Sequence, residues 1–389
     1  MKPRRIGFLF NHEAVHQVAH SAPTAFALSR DFPAIDVELL VSSPAQMAEL
    51  EKIAAHFPGQ RCRFTPIDCG PVAKALDRLF GKFAPIKKVA VLRSNIERFA
   101  ALDALVTPEK TSAMIKHRFG LTDLTMIYAR HGAGDRSLSF NADNALFDFL
   151  LLPGAKFRDR LAAAHLLEGR PYEIVGYPKF DLLSGAAPKL FDNDRPTVLY
   201  NPHFDARLSS WYKYGAAVLD YFYRSDKFNL IFAPHLMLFE RLLHVSLEEF
   251  SMTIRKRLPK RYYDCPHMLI DTGSPASADM TYTMAADIYL GDVSSQVYEF
   301  IYRPRPCVFL NAHGAQWRDD PNYNHWMLGE VIDDPAMLDA ALARAPAEHE
   351  RKYAALQREA FAYTFDLQET PSSVRAARAI VAFMERHRA

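Results

Sequence analysis

Residues able to move protons or hold anions recur just past short apolar runs. Leu124-Thr-Met-Ile-Tyr-Ala129 is followed by Arg130-His131-Gly132-Ala133-Gly134-Asp135, and a run ending at Val175 by Gly176-Tyr177-Pro178-Lys179-Phe180-Asp181. Tyr200 leads into Asn201-Pro202-His203, Pro234 into His235, and Leu290 into Gly291-Asp292-Val293-Ser294-Ser295. Imidazole titrates near neutral pH, so His131 and His235 are candidates for general acid-base work. In the last segment Gly291 is expected to let the backbone turn, and Ser294 or Ser295 to cap a following helix. The free N–H groups of that helix and two hydroxyls suit a phosphate. Glu299, one turn in, is placed to accept from a ribose. The same pattern is equally that of a well-capped core helix.

These positions matter because of the elements that carry them. Runs rich in Val, Ile, Leu and Phe alternate with helical patterns, first from "RIGFLF" to "YEIVGYP" and again from "PTVLYNP" to "GEVID". Strands buried on both faces imply parallel sheets covered by helices. In such sheets ligands bind outside the carboxyl ends of the strands, which is where the candidate residues lie. The stretch 182–196 breaks the rhythm with Gly, Pro and Asp and reads as a linker. The expected architecture is α/β: two Rossmann-like domains, 1–185 and 186–365, whose parallel sheets face a cleft. A terminal segment, 366–389, forms a helix with Ser372 or Ser373 as its cap.

Composition narrows the function classes. The chain has 389 residues, 49% hydrophobic, and a formal net charge of +2. That suffices for two cores and gives no sign of a nucleic-acid partner. No run reaches the roughly 20 apolar residues of a membrane span, and the one after Arg5 stops at Phe10, too short for a signal peptide. Cys62, Cys69, Cys265 and Cys307 have neither CxxC nor zinc spacing. These features suit a cytoplasmic protein with reduced thiols. His12-Glu13-Ala14-Val15-His16 meets the HExxH pattern literally, but at a strand-to-helix turn and with no third ligand in view. No metal or cofactor is expected, and His12 and His16 are assigned to the acceptor side of a binding site.

Gly176-Tyr177-Pro178-Lys179-Phe180-Asp181 resembles the GYPR-x-D signature of the CDP-glycerol glycerophosphotransferases, the teichoic-acid primases and polymerases. His131-Gly132, His235, and the block from Ala286-Asp287 to Pro306 follow that family's order over about residues 125 to 310. The resemblance implies a GT-B fold with a last helix crossing back. It also implies a nucleotide donor held mainly by the second domain and an acceptor by the first. His131 would then be the general base, and His235 would bond a phosphoryl oxygen or protonate the leaving group. Gly291, Asp292, Ser294, Ser295, Glu299 and Lys179 would serve the donor. His12, His16, Arg130, Gly132, Gly134 and Asp135 would serve the acceptor side, the two glycines keeping the loop slim. The acceptor implied is a glycan or a lipid-linked group. Ala133-Gly134 stands where the family has Thr-Pro, Leu236 where it has proline, and His203 where it has threonine.

Two other readings are open: a GT-B glycosyltransferase or 2-epimerase on a UDP-sugar, and a non-catalytic nucleotide- or glycan-binding protein. Finally, Arg255, Lys256, Arg257, Lys260 and Arg261 beside Tyr262 and Tyr263 form a basic stretch suited to an anionic membrane surface. The same stretch reads equally as a solvated loop between two helices; a cytoplasmic enzyme is expected, and peripheral association at the membrane belongs to the first reading only.

Overall fold

A computed structural model describes residues 4–12, 14–80, 86–183, 185–240, 243–246, 251–254 and 258–387. The chain divides into two compact units: residues 1–132, 140–184 and 362–389 in the first, 133–139 and 185–361 in the second.

The first unit is built on seven strands: β1 Arg4–Phe10, β2 Ile35–Val41, β3 Arg63–Pro66, β4 Ala104–Thr107, β5 Thr125–Ala129, β6 Phe149–Leu152 and β7 Tyr172–Ile174. Their order is β3-β2-β1-β4-β5-β6-β7, every pair parallel. Ile6, Phe8 and Phe10 of β1 are fully buried, as their uninterrupted apolar run implies. The helices Ala22–Asp31 and Ser372–Arg386 share that core. Phe383 of the last helix stacks on Phe149 of β6 at a centroid distance of 4.4 Å. Burying such an aromatic contributes about 1.5–3 kcal/mol, which holds the last helix to the sheet of the first unit.

Among the described residues of the second unit the strands are β8 Thr197–Asn201, β9 Asn229–Phe232, β10 Leu243–Ser246, β11 Ser251–Ile254, β12 Met268–Ile270, β13 Ile288–Gly291, β14 Cys307–Leu310 and β15 Glu330–Ile332. The parallel sheet runs β12-β9-β8-β13-β14-β15, and β10 pairs with β11, antiparallel. The order reverses at β8 and β13, the switch point where doubly wound sheets take their ligands. Val218, Leu219 and Phe222 of helix Trp211–Arg224 join the core strands.

Two features escaped the sequence patterns. Strand β3 is short, polar and half exposed, an edge strand without an apolar run. The β10–β11 pair likewise lies in a stretch to which the sequence patterns assigned no element. In the basic stretch, Lys260–Tyr263 forms a short helix. Arg255, Lys256 and Arg257 lie outside the described residues. Among those described, no helix is long and apolar enough to cross a membrane.

Candidate active site

Parallel strands bring their carboxyl ends to one edge of each sheet. In the first unit this gathers His12 after β1, Pro108 and Lys110 after β4, Arg130 and His131 after β5, and Tyr177 to Lys179 after β7. His131 Nδ1 lies 2.5 Å from the carbonyl oxygen of Pro108. A carbonyl only accepts, so Nδ1 carries the proton and Nε2 keeps a lone pair. Burial lowers the His131 pKa to about 4; the Pro108 bond opposes this, and Arg130, Lys88 and Lys110 reinforce it. The ring is therefore an uncharged acceptor at neutral pH.

Other buried histidines crowd around it. The His20 ring is 6.3 Å from that of His131 and 5.1 Å from Tyr177. Burial takes His20 well below its usual range, and Lys179 and His131 add to this. His12 is held at about 3, by burial first and then by His131. Gln46 Nε2 faces His12 Nδ1 at 3.3 Å and donates to its carbonyl at 2.7 Å. His16 stands half-buried on the 3-10 helix Val15–His20. Because His12 precedes that helix, the two histidines do not share a helical face as in the HExxH proteases. Among the described residues no three His, Cys, Asp or Glu side chains form a metal-binding group, and Glu13 is outside them. Arg130 is buried, donates to Asn144 Oδ1 at 3.0 Å, and lies over the ring of Phe157 at 4.9 Å.

The GYPKFD segment has a structural task. Asp181 accepts from the backbone N–H groups of Ser372 (3.1 Å) and Ser373 (2.6 Å), and Ser372 Oγ accepts from Tyr177 N at 3.0 Å. Neither serine is the cap of the last helix, as expected from sequence; Pro371 holds that position, and Asp181 supplies the acceptors. Lys179, expected with the donor residues, is buried in the first unit beside His20.

The second unit gathers His203 after β8, His235 after β9 and the Gly291–Ser295 segment at the end of β13. The rings of His203 and His235 are 5.6 Å apart, with Phe204 against both at 4.4 and 4.7 Å. Both Nδ1 atoms accept backbone N–H groups, His203 from Asp205 at 3.1 Å and His235 from Met237 at 3.3 Å. The proton of each neutral ring is thus on Nε2, so each ring presents a donor. Burial lowers His235 to about 4 and His203 further below its usual range.

Asp292 is fully buried and accepts from His203 N (2.8 Å), Ser210 N (2.6 Å), Ser210 Oγ (2.8 Å) and Val293 N (2.7 Å). Its carboxylate is consumed in fastening the loop after β8 and helix Trp211–Arg224 to β13. Gly291, expected at a turn, has no positive φ. A Cβ there would come within 2.5 Å of the Tyr289 ring, so packing demands the glycine. Ser294 is buried and Ser295 exposed; the helix after them, Gln296–Phe300, is only five residues long. Ser295 occupies the cap position without a side-chain bond, and Ser294 Oγ meets Gln296 N only at 3.4 Å. So short a helix supplies a weaker dipole than the sequence suggested. Glu299 is buried one turn in.

Asp135, expected on the acceptor side, belongs to the second unit. It accepts from Tyr298 Oη at 2.8 Å and from His325 N and Nδ1 at 3.0 Å. His325 Nε2 meets the Asp292 carbonyl at 3.2 Å. Gly134 allows this approach, since a Cβ there would lie 3.2 Å from Ser295 Cβ, whereas Gly132 is needed for its φ of +72°. Both glycines therefore serve the loop's own path. His20, His325 and Tyr298 were missed from sequence. His20 continues the four-residue spacing of His12 and His16, a usable signal; His325 sits in a 3-10 segment, away from any strand end.

No family model matches the sequence, and no curated protein matches it. Solved structures do. The wall teichoic acid polymerase TagF aligns at 13% identity with a TM-score of 0.59, covering all of this chain and 91% of that one. One TagF structure carries a His-to-Asn variant soaked with CDPG, and another a His-to-Ala variant at a different position. A putative UDP-N-acetylglucosamine 2-epimerase from Listeria monocytogenes aligns at 12% identity, TM-score 0.65, covering all of this chain and 98% of that one. The lipopolysaccharide outer core galactosyltransferase WaaB reaches 0.50 at 10% identity, over 97% of this chain and 99% of that one. At these identities the likeness establishes the fold, which is GT-B.

Proposed function

We propose that the chain is a transferase that moves a glycerophosphate or related phospho-alcohol group from a CDP-activated donor to a hydroxyl of a glycan or lipid-linked acceptor. The observation that carries this reading is His131: its Nδ1 proton is committed to Pro108, leaving an uncharged Nε2 lone pair past a strand end. Such a group accepts a hydroxyl proton. The acceptor oxygen then attacks the β-phosphorus, an O–P bond forms, the P–O bond to CMP breaks, and CMP departs with the electron pair. His235 and His203 present Nε2–H donors suited to phosphoryl oxygens. A neutral imidazole is a poor acid, so their tautomers favour charge stabilisation over protonation of the leaving group.

The GYPKFD and Ser-Ser segments favour this donor class. The TagF structures, one a histidine variant soaked with CDPG and another a second histidine variant, support it. Binding to anionic membrane, carried by the basic stretch at 255–261, is part of the same proposal. Calorimetry with CMP, CDP-glycerol, UDP and UDP-sugars tests the donor. Binding of CMP and CDP-glycerol in preference to UDP is expected; binding of UDP alone transfers the reading to a UDP-sugar enzyme. Mass spectrometry of a membrane extract incubated with CDP-glycerol identifies the acceptor.

A further inference from the structure

Beside Arg130, the first unit contains a small, partly open crevice. Its walls are largely apolar, with His20, Thr24, Arg130 and Tyr177 as the polar side chains and no acidic residue. His20 and Thr24 are 5% and 1% exposed, yet His20 Nδ1 and Thr24 Oγ1 have no hydrogen-bond partner among the described residues. Buried polar groups left without a partner are destabilising. Lys179, also buried, acts electrostatically on His20. The inner end has room for one water-sized group. The polar groups on this wall include a cation and no acid, and the space is matched by one oxygen of an oxyanion, with the rest of the group at the mouth.

We propose that this crevice is a phosphate-binding subsite, separate from the residues of the second unit that would hold the nucleotide. One phosphoryl oxygen accepts from His20 and Thr24, and Arg130 and Lys179 supply the balancing charge. An acceptor bearing a phosphate monoester or diester near its reactive hydroxyl would be anchored here. That identification of the ligand's source rests on the transferase reading; anion binding itself does not.

The test is calorimetric titration of inorganic phosphate, then glycerol 3-phosphate, into the full chain saturated with CMP, so that the nucleotide site is filled. Saturable binding is expected, weakened about tenfold or more by His20→Leu and by Thr24→Val. Thr24→Val is nearly isosteric and keeps the test valid if His20→Leu disturbs folding. Titrating without CMP separates the two proposals: phosphate binding sensitive to Thr24→Val in a protein that ignores CMP keeps the subsite and removes the donor assignment. Absence of saturable binding, or binding equal in wild type and Thr24→Val, overturns the subsite and leaves a water pocket.

Discussion

His131 and His235 occupy equivalent places, just past the carboxyl end of a buried parallel strand, yet their rings are wired in opposite senses. His131 donates from Nδ1 to a carbonyl. His235 accepts at Nδ1 from a backbone N–H. One leaves a lone pair at Nε2, the other a proton. Both are uncharged near neutrality because burial holds each at about 4. The same side chain at the same kind of site is thus a base in one unit and a hydrogen-bond donor in the other. The backbone group opposite Nδ1 makes the difference.

The sharpest way to break this comparison is substitution with retained polarity. His131→Ala is expected to lower turnover at least about 10²-fold, and His131→Gln to recover almost none of it, since an amide is no base. His235→Ala is expected to cost about tenfold or more, with His235→Gln recovering much of the loss because a donor suffices. Steady-state kinetics on the four variants decides; recovery by His131→Gln equal to that of His235→Gln would erase the distinction.

Smaller, and shared by both units, is a dependence of stability on pH. His12, His20, His131, His203 and His235 are all held below 6.5 in the folded chain, chiefly by burial. The unfolded chain takes up protons at these sites as pH falls through 6.5, while the folded chain resists down to about 4 at His131 and His235. Stability is therefore full above 6.5 and declines below it, by up to about 1.4 kcal/mol per pH unit for each histidine. Denaturant unfolding at pH 7.5 and 5.5 measures the slope, which His12→Gln should reduce. A flat profile would mean the rings are accessible to protons in the native state.

The smallest effect is expected at the Ser pair. Ser294→Ala with Ser295→Ala should weaken CMP binding only a few-fold, because the helix they precede has five residues. A loss beyond about a hundredfold in calorimetry would show that the hydroxyls themselves grip the nucleotide.

The parallel strands with apolar runs were legible in the sequence because burial on both faces leaves a local mark. Strand β3 and the β10–β11 pair were not, since neither carries such a run. Within the candidate sites, strand-end position pointed to His131, His235 and the serines. It said nothing of His325, reached through Asp135, 190 residues away in sequence. It also grouped Asp135 with residues of the first unit and Lys179 with those of the second, whereas Asp135 belongs to the second unit and Lys179 to the first.

Sequence alone determined the alternation of strands and helices, the residues at the strand ends, and the glycine at 132 that a left-handed turn requires. Those properties depend on neighbours along the chain. Tertiary structure decided which nitrogen of each imidazole holds the proton, that Asp292 is bound up in backbone contacts, and that Asp181 caps a helix 191 residues later. A tautomer or a cap is set by whichever donor or acceptor the fold brings within about 3 Å, and no local pattern encodes that partner.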